Sequence, residues 1–273
     1  MITWGGSFVY SSNITQLFWV FNQALPAWIL TLLFLNEKSF KNIGLLVTLC
    51  LVFAPFPTVG LCLVILYYLL LGFKKRKFID RIKEALNYRN FLAIIPFIII
   101  ALFYLNNTNE QPKGFVLSGG VEIKTMLIIM FLEFGLISLL CINKNNWKYV
   151  LANTISLIIC SQFYLGRGCD FVNRTTIPIL IVLLVMVIDN LKNNNMIRNN
   201  LIVIYLTIAS VTTFNEFYRT IDYYNDYGFL ALENYSDNWK TFGKTIHQNA
   251  METYVRNFSS PYEDNFLNKY IFK

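Results

Sequence analysis

Seven apolar runs divide the chain, at residues 16–35, 43–73, 91–105, 121–141, 147–165, 177–188 and 201–214, with short polar stretches between them. A helix needs roughly 20 apolar residues to cross about 30 Å of hydrocarbon, so these runs read as membrane-crossing helices. The second run is too long for one crossing. About 30 residues make a helix of about 45 Å, and Pro55 and Pro57 stand in its middle, where they end one helix and open the next. Residues 43–73 therefore read as two short crossings joined by a tight outer turn in the Ala54-to-Gly60 stretch, with a re-entrant hairpin or a single kinked helix as alternatives. The predicted fold is all-α: a polytopic transmembrane helical bundle over residues 1–214, with about eight spans, or seven if residues 43–73 cross once. Residues 215–273 are polar, rich in Tyr, Phe and Asn, and too few to bury a large core alone. They predict a short helical C-terminal segment packed on the outer face.

Composition agrees with this class and excludes others. The chain is 55% apolar, 16% aromatic and 14% charged, too little polar surface to cover a soluble globule. Its net charge of +7 is gathered in a few loops and not laid out as a basic stripe with interleaved aromatics, which argues for membrane orientation and against nucleic-acid binding. The densest cluster, Lys74 to Arg89, reads as a cytoplasmic loop by the positive-inside rule and fixes the rest of the topology. Within it Phe78, Ile79, Ile82 and Leu86 recur at helical spacing, predicting a short amphipathic helix on the anionic inner leaflet. This topology places thirteen of the 23 Lys and Arg on inner loops or their edges, leaves Arg167 and Arg174 outside, and puts the C-terminus on the extracytoplasmic side of the cell membrane. Five cysteines, four of them in or beside apolar runs, make neither a disulfide framework nor a zinc site, so no metal ligands are assigned. His247 has no ligand partner at metal spacing.

Three places carry candidate chemistry. The stretch Gly166 to Leu180, GRGCDFVNRTTIPIL, packs Arg167, Asp170, Asn173 and Arg174 between two apolar runs. A charge at the bilayer centre costs about 2.5 to 3.5 kcal/mol or more, so this stretch belongs to an interfacial mouth. Pro178 suits the first turn of a helix, which predicts Thr175 or Thr176 as its cap and Arg174 just above its N-terminus. Unpaired N–H groups beside a guanidinium fork favour a phosphate or a carboxylate; lipid-headgroup snorkelling by Arg174, with Asp170 as a simple ion-pair partner, is the alternative. Glu133 lies near the middle of the fourth run, either as a functional carboxylate facing the interior or as a protonated acid joining two helices. Asn22 and Gln23, inside the first run, predict hydrogen bonds to a neighbouring helix more than a substrate contact.

The run Asp170-Phe-Val-Asn-Arg-Thr-Thr-Ile-Pro-Ile-Leu180, with Phe21-Asn-Gln-Ala-Leu-Pro-Ala-Trp28 and the closing SSPYEDNFLNKY, resembles bacterial multi-pass membrane proteins with a GT-C glycosyltransferase-like domain. The resemblance implies a glycosyltransferase that takes sugar from a polyprenyl-phosphate carrier at the outer membrane face, in cell-envelope glycan assembly. It implies lipid-phosphate binding by Arg167, Asn173 and Arg174, with Arg174 and Pro178 matching the family's Arg-before-Pro pattern. GT-C enzymes also carry an acidic residue in the first outer loop after an N-terminal span, and nothing before Glu37 is acidic. That departure, with an N-terminus that has no basic n-region, suggests the C-terminal portion of a longer reading frame, in which an upstream acidic motif could add a divalent metal. Within the chain, Asp170 and Glu110 are the candidate catalytic acids. An O-antigen polymerase or ligase and a multi-pass transporter or lipid flippase are the alternative classes. A large outer loop between late spans would favour the former, and Glu133 with the broken second run favours the latter.

Overall fold

The computed structural model describes residues 12–73, 76–106, 113–115, 123–165, 170–192 and 195–227. Nearly all of them are helical. In order the elements are α1 (Asn13–Glu37), α2 (Ile43–Phe53), α3 (Pro55–Leu71), α4 (Phe78–Ala85), α5 (Tyr88–Asn106), β1 (Lys113–Phe115), α6 (Ile123–Met130), a π-helical turn (Phe131–Gly135), α7 (Leu136–Cys141), α8 (Trp147–Ser161), β2 (Phe163–Leu165), α9 (Asp170–Thr175), α10 (Ile177–Leu191) and α11 (Met196–Tyr227).

Local chemistry sets these boundaries. Ser12 opens α1 by accepting a hydrogen bond from the Thr15 amide at 3.1 Å. Lys38 closes it in a left-handed conformation, returning its amide to the Phe34 carbonyl. The long second run breaks at Ala54, whose backbone is extended with ψ 130°, and Pro55 then starts α3 where its missing N–H costs nothing. α2 and α3 pack against each other across that break, so the run is two helices and not a single kinked one.

The first compact unit comprises described residues of Met1–Ile100 and Gln111–Ala209. Its core is built from α1 lying along α10, with α3 and α8 packed against the same helix. Phe34, Leu61, Leu157, Ile177 and Ile179 are fully buried at these contacts. Two ends can be distinguished. At one, the described residues around 38–42, 72–73, 76–89, 141–148, 189–192 and 195–199 come together. Rings of Phe34, Phe40, Tyr68, Phe73 and Tyr149 pack there with centroids 4.5 to 5.9 Å apart, Tyr68 and Phe73 stacked and Phe34 edge-on to its neighbours, and the Tyr149 hydroxyl donates to the Gly72 carbonyl. Asparagines bond backbone carbonyls here, among them those of Ala85 and Cys141, which end α4 and α7 and would otherwise be orphaned. Asn90 donates to the Phe40 and Ala85 carbonyls, both at 2.8 Å, and Asn190 donates to Cys141 and Met186, both at 2.9 Å. The described Lys and Arg between residues 38 and 89, 144 and 148, and 192 and 198 all belong to this basic end. At the opposite end lie the Ala54 break, α9 and a two-stranded antiparallel sheet pairing Lys113 with Leu165 and Phe115 with Phe163. The cations whose side chains are described there are Lys124 and Arg174. The loops expected on one side of a membrane thus lie at one end of the unit.

The expected count of about eight spans is not what the helices provide. Three are long and apolar enough to cross a membrane: Tyr88–Leu105, Ile123–Cys141 and Met196–Asp222. The 11, 17 and 15 residues of α2, α3 and α10 rise only about 16 to 25 Å at 1.5 Å per residue, short of about 30 Å of hydrocarbon. α8 has 15 residues, and α1 is interrupted by a non-helical Val20 and carries Pro26. End turns consume the residues that continuous apolar runs had suggested for spans. The second compact unit lies within Ala101–Glu110 and Ser210–Lys273. In it α11 continues without a break past the expected boundary at residue 214, carrying an ion pair between Arg219 and Glu216 at 3.9 Å. The expected helices beyond residue 227 lie outside the described residues.

Candidate functional site

The mouth is organised by α9, one and a half turns that lie on the N-terminal half of α3. Its inner side is Val172 and Thr175, both fully buried, and its outer side is Asp170 and Arg174. The seat is close. A Cβ on Gly60 of α3 would strike the Thr175 backbone carbonyl and come within 3.1 Å of Pro178 Cδ, so only glycine admits this approach. Phe171 packs edge-on against Phe56 of α3 at 5.7 Å and against Phe163 of β2 at 6.2 Å. Phe163 in turn meets Phe115 of β1 at 5.0 Å. An aromatic strip therefore ties the helix to both strands.

On the outer side, Arg174 Nη2 donates to Asp170 Oδ1 at 2.9 Å, an i,i+4 pair whose side chains are 27% and 39% exposed. An exposed pair of this kind contributes about 0–1 kcal/mol to stability. Its value to a site is orientation, since one edge of the guanidinium is held by Asp170 and the rest of the fork is left for an oxyanion. Asn173 is half-buried on the same helix. Arg167, Cys169 and Glu110 lie outside the described residues.

The expected cap does not form. Thr176 precedes α10 in a helical conformation, its amide bonds to the Val172 carbonyl at 3.2 Å and its hydroxyl donates to the same carbonyl at 2.7 Å. Helical bonding therefore runs from α9 into α10. Arg174 sits on this ramp, one turn before α10, and not over an open helix N-terminus.

The other sequence candidates are scattered. Asn22 is exposed on α1 and makes none of the described interhelix hydrogen bonds that were expected of it. Gln23 is half-buried, with an enclosed Oε1 that has no hydrogen-bond partner among the described residues. Glu133 lies on the π-helical turn with its side chain exposed, not turned into the bundle. The Tyr205 hydroxyl donates to the backbone carbonyls of Leu132 at 3.0 Å and Glu133 at 2.8 Å. Among the described residues no three His, Cys, Asp or Glu side chains gather where they could hold a metal ion.

Sequence reading missed the polar link at the centre of the bundle. The Tyr67 hydroxyl donates to Asn153 Oδ1 at 3.1 Å, and Asn153 Nδ2 donates to the Ile179 carbonyl at 3.3 Å, joining α3, α8 and α10. An Asn in the interior of an otherwise apolar run is the signal that could have marked it. Comparison with known proteins adds no relative: no family model, no curated protein and no solved structure matches the chain.

Proposed function

We propose that this is a multi-pass membrane protein that engages a polyprenyl-phosphate-linked sugar at the α9 end, as a GT-C-type glycosyltransferase or the C-terminal portion of one. The observation that carries the reading is the half-exposed Asp170–Arg174 pair on the rim of a helical unit whose opposite end gathers the cations. With the basic end facing the cytoplasm, as the positive-inside rule requires, the pair faces outward; the extracytoplasmic C-terminus expected from the sequence belongs to the same proposal. Arg174 binds the lipid phosphate with help from Arg167 and Asn173. Asp170 orients Arg174 and is the candidate acid or base, with Glu110 as the other candidate. Envelope glycan assembly and the resemblance to GT-C proteins belong to the same proposal.

The test is direct. Arg174→Ala is expected to weaken binding of undecaprenyl phosphate, followed by native mass spectrometry, by about tenfold or more, the scale of one charge-assisted hydrogen bond lost. Arg174→Lys keeps the charge, loses the fork and is expected to fall between. Binding and sugar transfer that survive Arg174→Ala undiminished remove the reading.

One observation favours a transporter. The π-helical turn around Glu133 breaks the helical ladder inside a candidate span, and such turns occur often at functional sites. In proteoliposomes a transporter predicts proton-coupled solute flux abolished by Glu133→Gln. A transferase predicts no flux with either side chain.

A further inference from the structure

The polarity of α4 is reversed with respect to the bundle. Its buried side chain is Arg81, whose Nη1 donates to the Leu69 carbonyl at 2.5 Å. That carbonyl belongs to the last turn of α3, where a cation is favoured by the helix dipole. Glu84, on the same inward side, accepts from the Ser39 hydroxyl at 2.9 Å and the Phe40 amide at 3.3 Å. Asn87, just beyond the helix, donates to the Lys41 carbonyl at 2.8 Å. These bonds clamp the segment against the bundle by its charged side.

Its apolar side points away. Phe78, Ile79 and Leu86 are 48%, 62% and 63% exposed, and Ile79, Lys83 and Leu86 follow one another at i, i+4 and i+7 on one face. The cations that frame this face are available. The ammonium groups of Lys77 and Lys83 have no partner among the described residues, whereas Arg76 is paired with Glu84 at 3.4 Å and Arg89 donates to Asn42 at 3.5 Å; Asp80 is the one exposed acid on the helix. A short helix clamped by its polar side leaves its apolar side in water at a cost unless something covers it. Two residues after α4, α5 begins one of the candidate spans, at Tyr88. The apolar face is therefore held beside the point where the chain enters hydrocarbon.

We infer that the outward face of α4, Phe78, Ile79 and Leu86 with Lys77 and Lys83, is a docking surface for the anionic headgroup layer of a bilayer. The rings and aliphatic chains sink to the acyl boundary while the lysine stems run along them and keep their charges among lipid phosphates. Because Arg81 and Glu84 join this face rigidly to α3 and the residue 39–42 turn, docking also fixes the tilt of the bundle relative to the membrane plane. The inference needs the chain to be embedded in a membrane but is independent of any chemistry at Arg174.

The test places the fluorescent amino acid acridonylalanine at Ile79 of the full chain, by codon suppression, in nanodiscs of brominated phosphatidylcholine with or without phosphatidylglycerol. The expected result is quenching by the brominated chains, protection from aqueous iodide, and strengthening of both when phosphatidylglycerol is present. Lys77→Gln with Lys83→Gln should lower the docked-to-undocked ratio in the anionic discs on the order of thirtyfold, the effect of two juxtamembrane cations. Salt should weaken docking in the same direction. Trypsin cleavage after Lys77 in the unlabelled chain gives a second measure and should slow in the anionic discs. Free iodide quenching in both discs would place the face in water and overturn the inference. Protection from both quenchers irrespective of lipid charge overturns it too, because the face is then covered by protein.

Discussion

Replacing Gly60 with alanine is expected to destabilise the protein by about 3 kcal/mol or more, the upper end of what overpacking costs. On intrinsic helix propensity alone the change should help, since alanine is favoured over glycine in a helix interior by about 1 kcal/mol. Packing reverses that sign. The added carbon meets the backbone carbonyl of Thr175, and the carbonyl carbon stands at 3.0 Å behind it, so no side-chain rotation relieves the collision. Either α3 or the α9–α10 ramp must move. Because the Asp170–Arg174 pair rides on α9, the shift should also disturb the mouth. Gly135→Ala provides the comparison. Its added carbon has the Phe131 ring at 3.3 Å as its nearest neighbour, a contact that a few tenths of an ångström relieve, and its expected cost is within about 1 kcal/mol. Thermal unfolding of both variants in the same detergent checks the pair of predictions. A Gly60→Ala protein as stable as the parent would mean that α3 and α9 do not approach this closely.

The helical class and the placing of polar loops at two ends were legible because both follow from one-dimensional signals. Apolar runs mark helices, Pro55 marks a break, and clustered Lys and Arg mark one end. The number of membrane-crossing helices was not legible in the same way. A run such as residues 147–165 reads as one long apolar segment, yet α8 stops at Ser161 and the next three described residues of interest, Phe163 to Leu165, pair with β1 instead. Hydropathy records that these residues are apolar and carries no information about whether they continue a helix or turn into a strand. The mouth was half legible. Charge density drew attention to Asp170 and Arg174, and the ion pair between them is the one the plainer of the two sequence readings named. The Thr176 cap failed because its hydroxyl bonds back to Val172, a choice that depends on α9 being helical already. Arg81 was hidden for a different reason. Its apolar neighbours suggested that the charged face of α4 would be the wet one, and only the open Leu69 carbonyl at the end of α3 explains why the charge turns inward.

Asn153→Leu is expected to cost about 2–3 kcal/mol although it replaces a polar residue by an apolar one of similar size in an apolar setting. The loss has two parts. The Tyr67 hydroxyl, on a ring that is almost wholly buried, loses its acceptor, and an orphaned buried donor costs about 1–3 kcal/mol. The Ile179 carbonyl also loses the Asn153 donor at 3.3 Å, a weaker bond worth about 0.5–1 kcal/mol. Tyr67→Phe separates the two. It removes the hydroxyl and leaves Asn153 its bond to Ile179, so it should cost about 1 kcal/mol. The double variant, Tyr67→Phe with Asn153→Leu, should then be more stable than the sum of the single losses predicts, with a coupling of about 1 kcal/mol. Interhelix hydrogen bonds measured in hydrocarbon average only about 0.6 kcal/mol, because unfolded helices in a membrane find other partners. A coupling near that lower value would say that the α3–α8 contact forms in a chain already embedded in lipid. A coupling at or below zero would show that Tyr67 and Asn153 do not share a hydrogen bond, and the polar link joining α3 to α8 and α10 would have to be abandoned.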